Sequence, residues 1–158
     1  MKVLLFNDSF KEENFTKEIQ NYPASVIHLA THGQFSSNVE DTFILAYDGP
    51  INVNELDRIL RTQKNQNQPI ELLILSACET AKGDQRAALG LAGVAVKAGA
   101  KSTIASLWQV SDNSTQILMS TFYEELSNYK GDSPHKITKA EALRKAQKAL
   151  KENSDKNY

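Results

Sequence analysis

Three short apolar runs constrain this chain more than any other feature: Ser25-Val-Ile-His-Leu-Ala-Thr31, Ile70-Glu-Leu-Leu-Ile-Leu75 and Ser102-Thr-Ile-Ala-Ser-Leu-Trp108. Their length and β-branched content fit strands buried on both faces. Such strands need helices to cover them, and helical patterns lie between the runs. Asn52-Val-Asn-Glu55 reads as a cap with an acidic residue three positions on, followed by Leu56, Ile59 and Leu60 on one face of a short exposed helix. Ala87 to Ala98 is nearly all small or apolar and stops at Gly99, as a buried helix closed by a left-handed glycine does. Within it, Gly90 and Gly93 predict a close approach of helix to sheet. Asp112 can cap a helix with Leu118, Phe122, Leu126 and Tyr129 on one face, and Thr138 with Glu141 can box a last helix carrying Leu143 and Leu150. The chain opens with a strand-like Val3 to Phe6 and an amphipathic Asn14 to Ile19. This alternation predicts an α/β fold with a mostly parallel sheet and helices on both faces.

Polar and small residues gather at Gly33 to Thr42, Gln63 to Pro69, Glu79 to Arg86 and Asn128 to Pro134, which read as loops. The run Gln63-Lys-Asn-Gln-Asn-Gln68 reads as a solvated linker, and the tail from Glu152 to Tyr158 as frayed. A length of 158 residues is that of one ordinary domain, and 41% hydrophobic with 23% charged residues belongs to the soluble globular range. A formal charge of -1 supplies no basic surface for nucleic acid or anionic lipid. No apolar run approaches the roughly 20 residues that cross a bilayer, and Met1 to Phe6 turns polar at Asn7 before a signal-peptide core is built. These features predict a cytoplasmic protein with no membrane partner. The single Cys78 has no internal disulfide partner, which fits a reducing compartment.

The chemistry-bearing residues sit at strand ends. Ile27-His-Leu-Ala-Thr-His32-Gly33 finishes one buried strand, and Leu73-Ile-Leu-Ser-Ala-Cys78-Glu-Thr80 finishes another. Adjacent parallel strands place their carboxyl ends side by side, next to the crevice where ligands bind in open α/β sheets. An imidazole beside a thiol favours the thiolate and can pass its proton to a leaving group. Gly33, having no side chain, leaves its N–H open to a developing oxyanion. The plain alternatives are a small buried cysteine and a histidine in a turn. The spacing of His28 and His32 matches two ligands of a helical zinc motif, but the segment reads as strand and lacks the intervening Glu. No metal or cofactor is therefore called for. His28 reads as a satisfied core residue or one that supports the site from behind the reacting groups, and His135 as a surface one.

Five motifs in order resemble those of CHAT domains: Ala30-Thr-His32-Gly33-Gln34-Phe35; Leu75-Ser-Ala-Cys78-Glu-Thr80; Gly99 through Trp108 to Asp112; Phe122-Tyr123-Glu-Glu-Leu126; and Ala140-Glu-Ala-Leu-Arg144-Lys-Ala-Gln147. These are caspase-like domains found beside tetratricopeptide repeats, especially in bacteria. The resemblance implies a caspase-like three-layer sandwich of the separase and caspase group. It also implies cysteine endopeptidase chemistry on protein or peptide substrates, under the control of repeats in the parent chain or of a sensor partner. Carried over by motif, His32 would be the general base, Cys78 the nucleophile, and the N–H groups of Gly33 and Cys78 the oxyanion hole. His32 and Cys78 are 46 residues apart, close to the roughly 50 of caspases. No third triad member presents itself. Because complete CHAT domains carry further strand and helix in front, the chain is expected to be a single domain over 1–158 without its first strand or strands and upstream repeats.

Substrate-binding candidates lie on the following loops. Asp84, after Gly83, could read an Arg or Lys side chain, as an acidic group does in caspase-like peptidases that cut after basic residues. It could equally be an ordinary turn residue neutralised by Lys82 or Arg86. Trp108 and Asp112 could form the opposite wall, or serve as core and helix cap. Two other functions fit the same residues: a non-catalytic caspase-like domain that binds peptides in the crevice, and a thiol-dependent hydrolase of small amides.

Overall fold

The computed structural model describes residues 4–34, 36, 38–64, 68–79, 93, 95–96, 98–106, 111–127 and 137–154. It divides into two compact units, residues 1–109 and 110–158. The first holds α1 (Glu12–Asn21), β1 (Val26–Gln34), β2 (Phe43–Ala46), β3 (Gly49–Asn52), α2 (Val53–Lys64), β4 (Leu72–Glu79) and β5 (Thr103–Ala105). The second holds α3 (Asp112–Ser127) and α4 (Lys139–Ser154). No helix among the described residues is long and apolar enough to cross a membrane.

The five strands form one sheet in the order β3-β2-β1-β4-β5. β1 runs parallel to β4, and β4 parallel to β5, but β2 is antiparallel to both β1 and β3. The sheet is mixed, which corrects the expectation of a mostly parallel one. The cause is a hairpin that the three apolar runs do not announce, with Tyr47-Asp48 as its two-residue turn between paired Ala46 and Gly49. Pro50 sits on β3, an edge strand of the described sheet, where a missing N–H is tolerated. Gly49 has φ +147°, a conformation closed to L side chains although a methyl group there would touch nothing within 4 Å. Gly49→Ala is accordingly expected to lower the unfolding free energy by about 1–3 kcal/mol through backbone strain alone, measurable by urea titration.

The main core lies on one face of the sheet. Ile27 and Leu29 of β1 pair in register with Leu73 and Leu75 of β4, and Ile44, Ala46 and Ile51 of the hairpin extend the same cluster. Phe15 and Ile19 of α1, four residues apart, cover it together with Leu56, Ile59 and Leu60 of α2. Each such side chain contributes about 1.5–3 kcal/mol on burial. The face of α2 that carries them is thus buried, and only its polar side is exposed. Asn52 caps α2 as its spacing predicts: its Oδ1 accepts from the N–H groups of Asn54 and Glu55 at 3.0 Å, while Glu55 accepts from the Asn52 N–H at 3.0 Å.

Three local expectations change. Residues 4–6 form no strand, and the chain enters through a 3-10 turn at Asn7–Ser9. Gln63 is fully buried rather than part of a solvated linker. Its amide donates to the carbonyls of Ala24 at 2.7 Å and Gln68 at 3.2 Å, and accepts from the Ala24 N–H at 3.0 Å. Gly93 makes no close approach, since a Cβ there would meet nothing within 4 Å; the buried positions nearby are Ala95 and Ala98. Gly90 lies outside the described residues. Gly99 does close the helix at φ +79°, its N–H bonding to the Val96 carbonyl and that of Ala100 to the Ala95 carbonyl.

In the second unit, α3 and α4 pack against each other, with Met119 and Phe122 buried on α3 and Ala142 and Ala146 on α4. Leu118 and Leu126 are half-buried, as are Leu143 and Leu150, while Tyr129 lies outside the described residues. Lys145 pairs with Glu125 at 2.7 Å. The Thr138 and Glu141 box forms in both directions: Glu141 accepts from the N–H and hydroxyl of Thr138, and the Thr138 hydroxyl accepts from the Glu141 N–H. These bonds hold the Glu141 carboxyl below the usual carboxylate range. The cap of α3 is Ser111, not Asp112, because the Ser111 hydroxyl accepts from the Ser114 N–H at 3.2 Å.

Candidate active site

β1 and β4 are neighbours with matched register from Val26 opposite Leu72 to Thr31 opposite Ala77. The register then slips, and Gln34 faces Glu79. Two residues of β1, His32 and Gly33, therefore stand against one residue of β4, Cys78. This is a β-bulge, a feature that bends a strand and re-aims its side chains. The backbone thus brings three of the sequence-predicted residues to one place, and for a reason the alternation of strands already contained: parallel neighbours end on the same side.

His32 is exposed and Gly33 buried. Both belong to β1 itself rather than to the loop after it, and Gly33 pairs with Ile44 of β2. Below them, the Thr31 hydroxyl donates to the Leu45 carbonyl at 2.5 Å, tying β1 to the hairpin. For Cys78 the described feature is its backbone position on β4. Asp84 and Trp108 lie outside the described residues. Asp112 is the first residue of α3, in the second unit, and its side chain is likewise outside the description.

His28, four residues before His32, is half-buried and hydrogen-bonded through Nε2 to the Ser76 hydroxyl at 2.9 Å. That agrees with a satisfied histidine. Ser76 is a residue that sequence reasoning misses; the available signal is its place in the β4 strand, two residues before Cys78. Burial holds the His28 imidazole below its ordinary pKa, favouring the neutral ring. The unfolded chain, with its imidazole near the ordinary value of about 6.5, takes up the proton first as pH falls. The contribution of His28 to stability is therefore complete above that value and is lost as pH drops through the lower folded-state value. Melting temperature is expected to fall between pH 7.5 and 5, and to fall less in His28→Gln.

A cavity of about 530 Å³ opens beside the first half of β1, between α1 and residues 22–29, lined by Phe15, Ile19, Tyr22, Ile27 and His28 among others. On β1 its lining ends at Leu29, short of the bulge.

Comparison with known families decides the wider assignment. The CHAT domain family model matches residues 1–158. The chain belongs to the CHAT domain family. CHAT domains are a caspase-like family. No curated protein and no solved structure matches the chain. Within this CHAT domain, the motifs carrying His32 and Cys78 lie on the adjacent parallel strands β1 and β4.

Proposed function

We propose that this CHAT domain is a cysteine endopeptidase with a His32/Cys78 dyad. The observation that carries the reading is the pairing of β1 with β4, whose matched register ends with His32-Gly33 opposite Cys78. In the proposed cycle His32 takes the proton from the Cys78 thiol. The thiolate then attacks the scissile carbonyl carbon, and the carbonyl electron pair moves onto oxygen. The N–H groups of Gly33 and Cys78 hold that oxyanion. His32 returns its proton to the departing amine as the C–N bond breaks, leaving a thioester. Water, deprotonated by His32, attacks the thioester, releasing the carboxylate product and restoring the thiol. A dyad suffices if a backbone carbonyl or water orients the imidazole. Asp84 remains the candidate for reading a basic side chain, with Trp108 as part of the opposite wall. A repeat or sensor module in the parent protein would control access.

The test is to incubate the parent protein with a peptide library beside its Cys78→Ala variant. Cleavage by the parent that disappears on substitution is expected, and cleavage that persists ends the peptidase reading. Peptide capture without cleavage by either form would favour a non-catalytic binding domain.

A further inference from the structure

Burial alternates along β1 through the bulge, with Gly33 buried and its neighbours His32 and Gln34 exposed. The pair Gly33 and Ile44 therefore faces the core, while His32 and Gln34 of β1 share the outer face with Phe43 and Leu45 of β2. The register that sets Gly33 opposite Ile44 and Gln34 opposite Phe43 brings Leu45 alongside His32. The bond from the Thr31 hydroxyl to the Leu45 carbonyl holds it there. Pro50 of β3 stands opposite Leu45 in turn. An antiparallel hairpin with one face on the core ordinarily carries polar residues on the other. Here the outer positions next to His32 are apolar: Leu45 is 40% exposed, Pro50 is exposed and Phe43 is half-buried. Leu45 and Pro50 lie outside the core cluster, so packing of the core does not account for them.

Resting on the peptidase reading, we propose that the outer face of the hairpin is a specificity surface, on which Leu45, flanked by Phe43 and Pro50, receives an apolar side chain from the substrate segment that follows the scissile bond. The strand order gives the surface its direction. β4, β1, β2 and β3 are successive neighbours, so a line across the sheet passes the strand positions of Cys78, His32, Leu45 and Pro50 in turn. In the proposed cycle Cys78 attacks the carbonyl and His32 protonates the departing amine. The amine side of the substrate thus lies toward His32 and continues over β2. Adjacent strands are about 4.8 Å apart and an extended peptide advances about 3.3 Å per residue, so the first two residues after the bond span Leu45 and Pro50. The substrate class selected is a peptide with Leu, Met or an aromatic residue at one of those two positions.

The probe is a synthetic library of random peptides, given to the parent protein and to its Leu45→Ala, Leu45→Glu and Cys78→Ala variants, with the cleavage products sequenced by mass spectrometry. The wild type should favour Leu, Met, Phe or Tyr over Asp, Lys and Gly at the first or second position after the bond. Leu45→Ala should lower kcat/KM for peptides with Leu there by about 10-fold, the low end for a loss of apolar contact in a pocket, because this surface is open on one side. Peptides with Gly or Ala there should stay within about twofold. Leu45→Glu should reverse the order, rejecting Leu and accepting Lys or Arg. Preferences before the bond should not change. Because Leu45 is outside the core, the melting temperatures of both Leu45 variants should stay within about two degrees of wild type.

If cleavage depends on Cys78 but shows no apolar preference after the bond, or if both Leu45 variants leave that preference as in the wild type, the peptidase reading stands and the role of Leu45 is overturned. It is equally overturned by a loss of rate that is the same for all peptides, or by a change confined to positions before the bond. Cleavage that persists in Cys78→Ala, or a library left intact by the parent, overturns the peptidase reading and this inference with it. Should Leu45→Glu fail to fold, Leu45→Ala, which only shortens a partly exposed side chain, decides the question.

Discussion

Replacing His32 by alanine is expected to lower kcat/KM for peptide cleavage by roughly 100- to 10,000-fold, the range for losing a positioned general base. It should move the melting temperature by no more than about two degrees. The two halves of this expectation have separate causes. His32 is exposed at the bulge, so truncating it removes little buried area, and such surface changes usually stay within about 0.5 kcal/mol. Its catalytic share rests on activating a thiol that is otherwise mostly protonated at neutral pH. Steady-state kinetics together with a thermal melt on the same sample check both halves. A variant that keeps full activity would remove His32 from the mechanism whatever its stability.

The second large effect is on folding. Gln63→Leu should cost about 2–4 kcal/mol, since it removes three hydrogen bonds at a fully buried position while keeping the volume nearly constant. The Gln63 amide serves both backbone groups of Ala24, the residue that leads into β1, and the carbonyl of Gln68 on the way to β4. One side chain at the end of α2 therefore ties down the entry to the strand bearing His32 and the segment leading to the strand bearing Cys78. With a leucine there, these part-buried groups lose their partner, each at a penalty of about 1–3 kcal/mol where water cannot replace it. For a chain of this length the loss corresponds to a melting temperature lower by roughly 5–15 °C. A melting point unchanged in Gln63→Leu would mean that water takes over all three bonds and that the clamp is not structural.

Gln63 shows why part of this fold is not legible in advance. A glutamine in a run of Gln, Asn and Lys looks solvated, and its burial depends on Ala24, 39 residues earlier in the chain. The β2–β3 hairpin is legible in principle, because Asp48-Gly49 between apolar residues is a hairpin signal. Its turn is Tyr47-Asp48, however, and Gly49 begins the second strand. Asp112 is a reasonable cap by residue type, yet Ser111, one position earlier, supplies the acceptor. Neighbouring capping residues compete within one turn, and the backbone path into the helix selects between them.

Features decided within a few residues are legible from the chain alone: the caps at Asn52 and Thr138, the glycine stop at Gly99, the strand character of the three apolar runs, and the placing of His32-Gly33 and Cys78 at or near the ends of two of them; burial on both faces holds for Leu72–Leu75 of β4, while β1 alternates buried with exposed residues and β5 is half-buried. Caps and stops are short-range hydrogen bonds, and strand character follows from local apolar patterning, so both can be read from adjacent positions. Long-range pairing fixes the rest: that the sheet is mixed, that Gln63 is a clamp, that His28 meets Ser76, and that a bulge sets two residues of β1 against one of β4. Each depends on which distant strand lies alongside and at what register. Register is a property of the pair rather than of either strand, because the alternation within one strand fixes which residues share a face and not which residue of the neighbour each one meets.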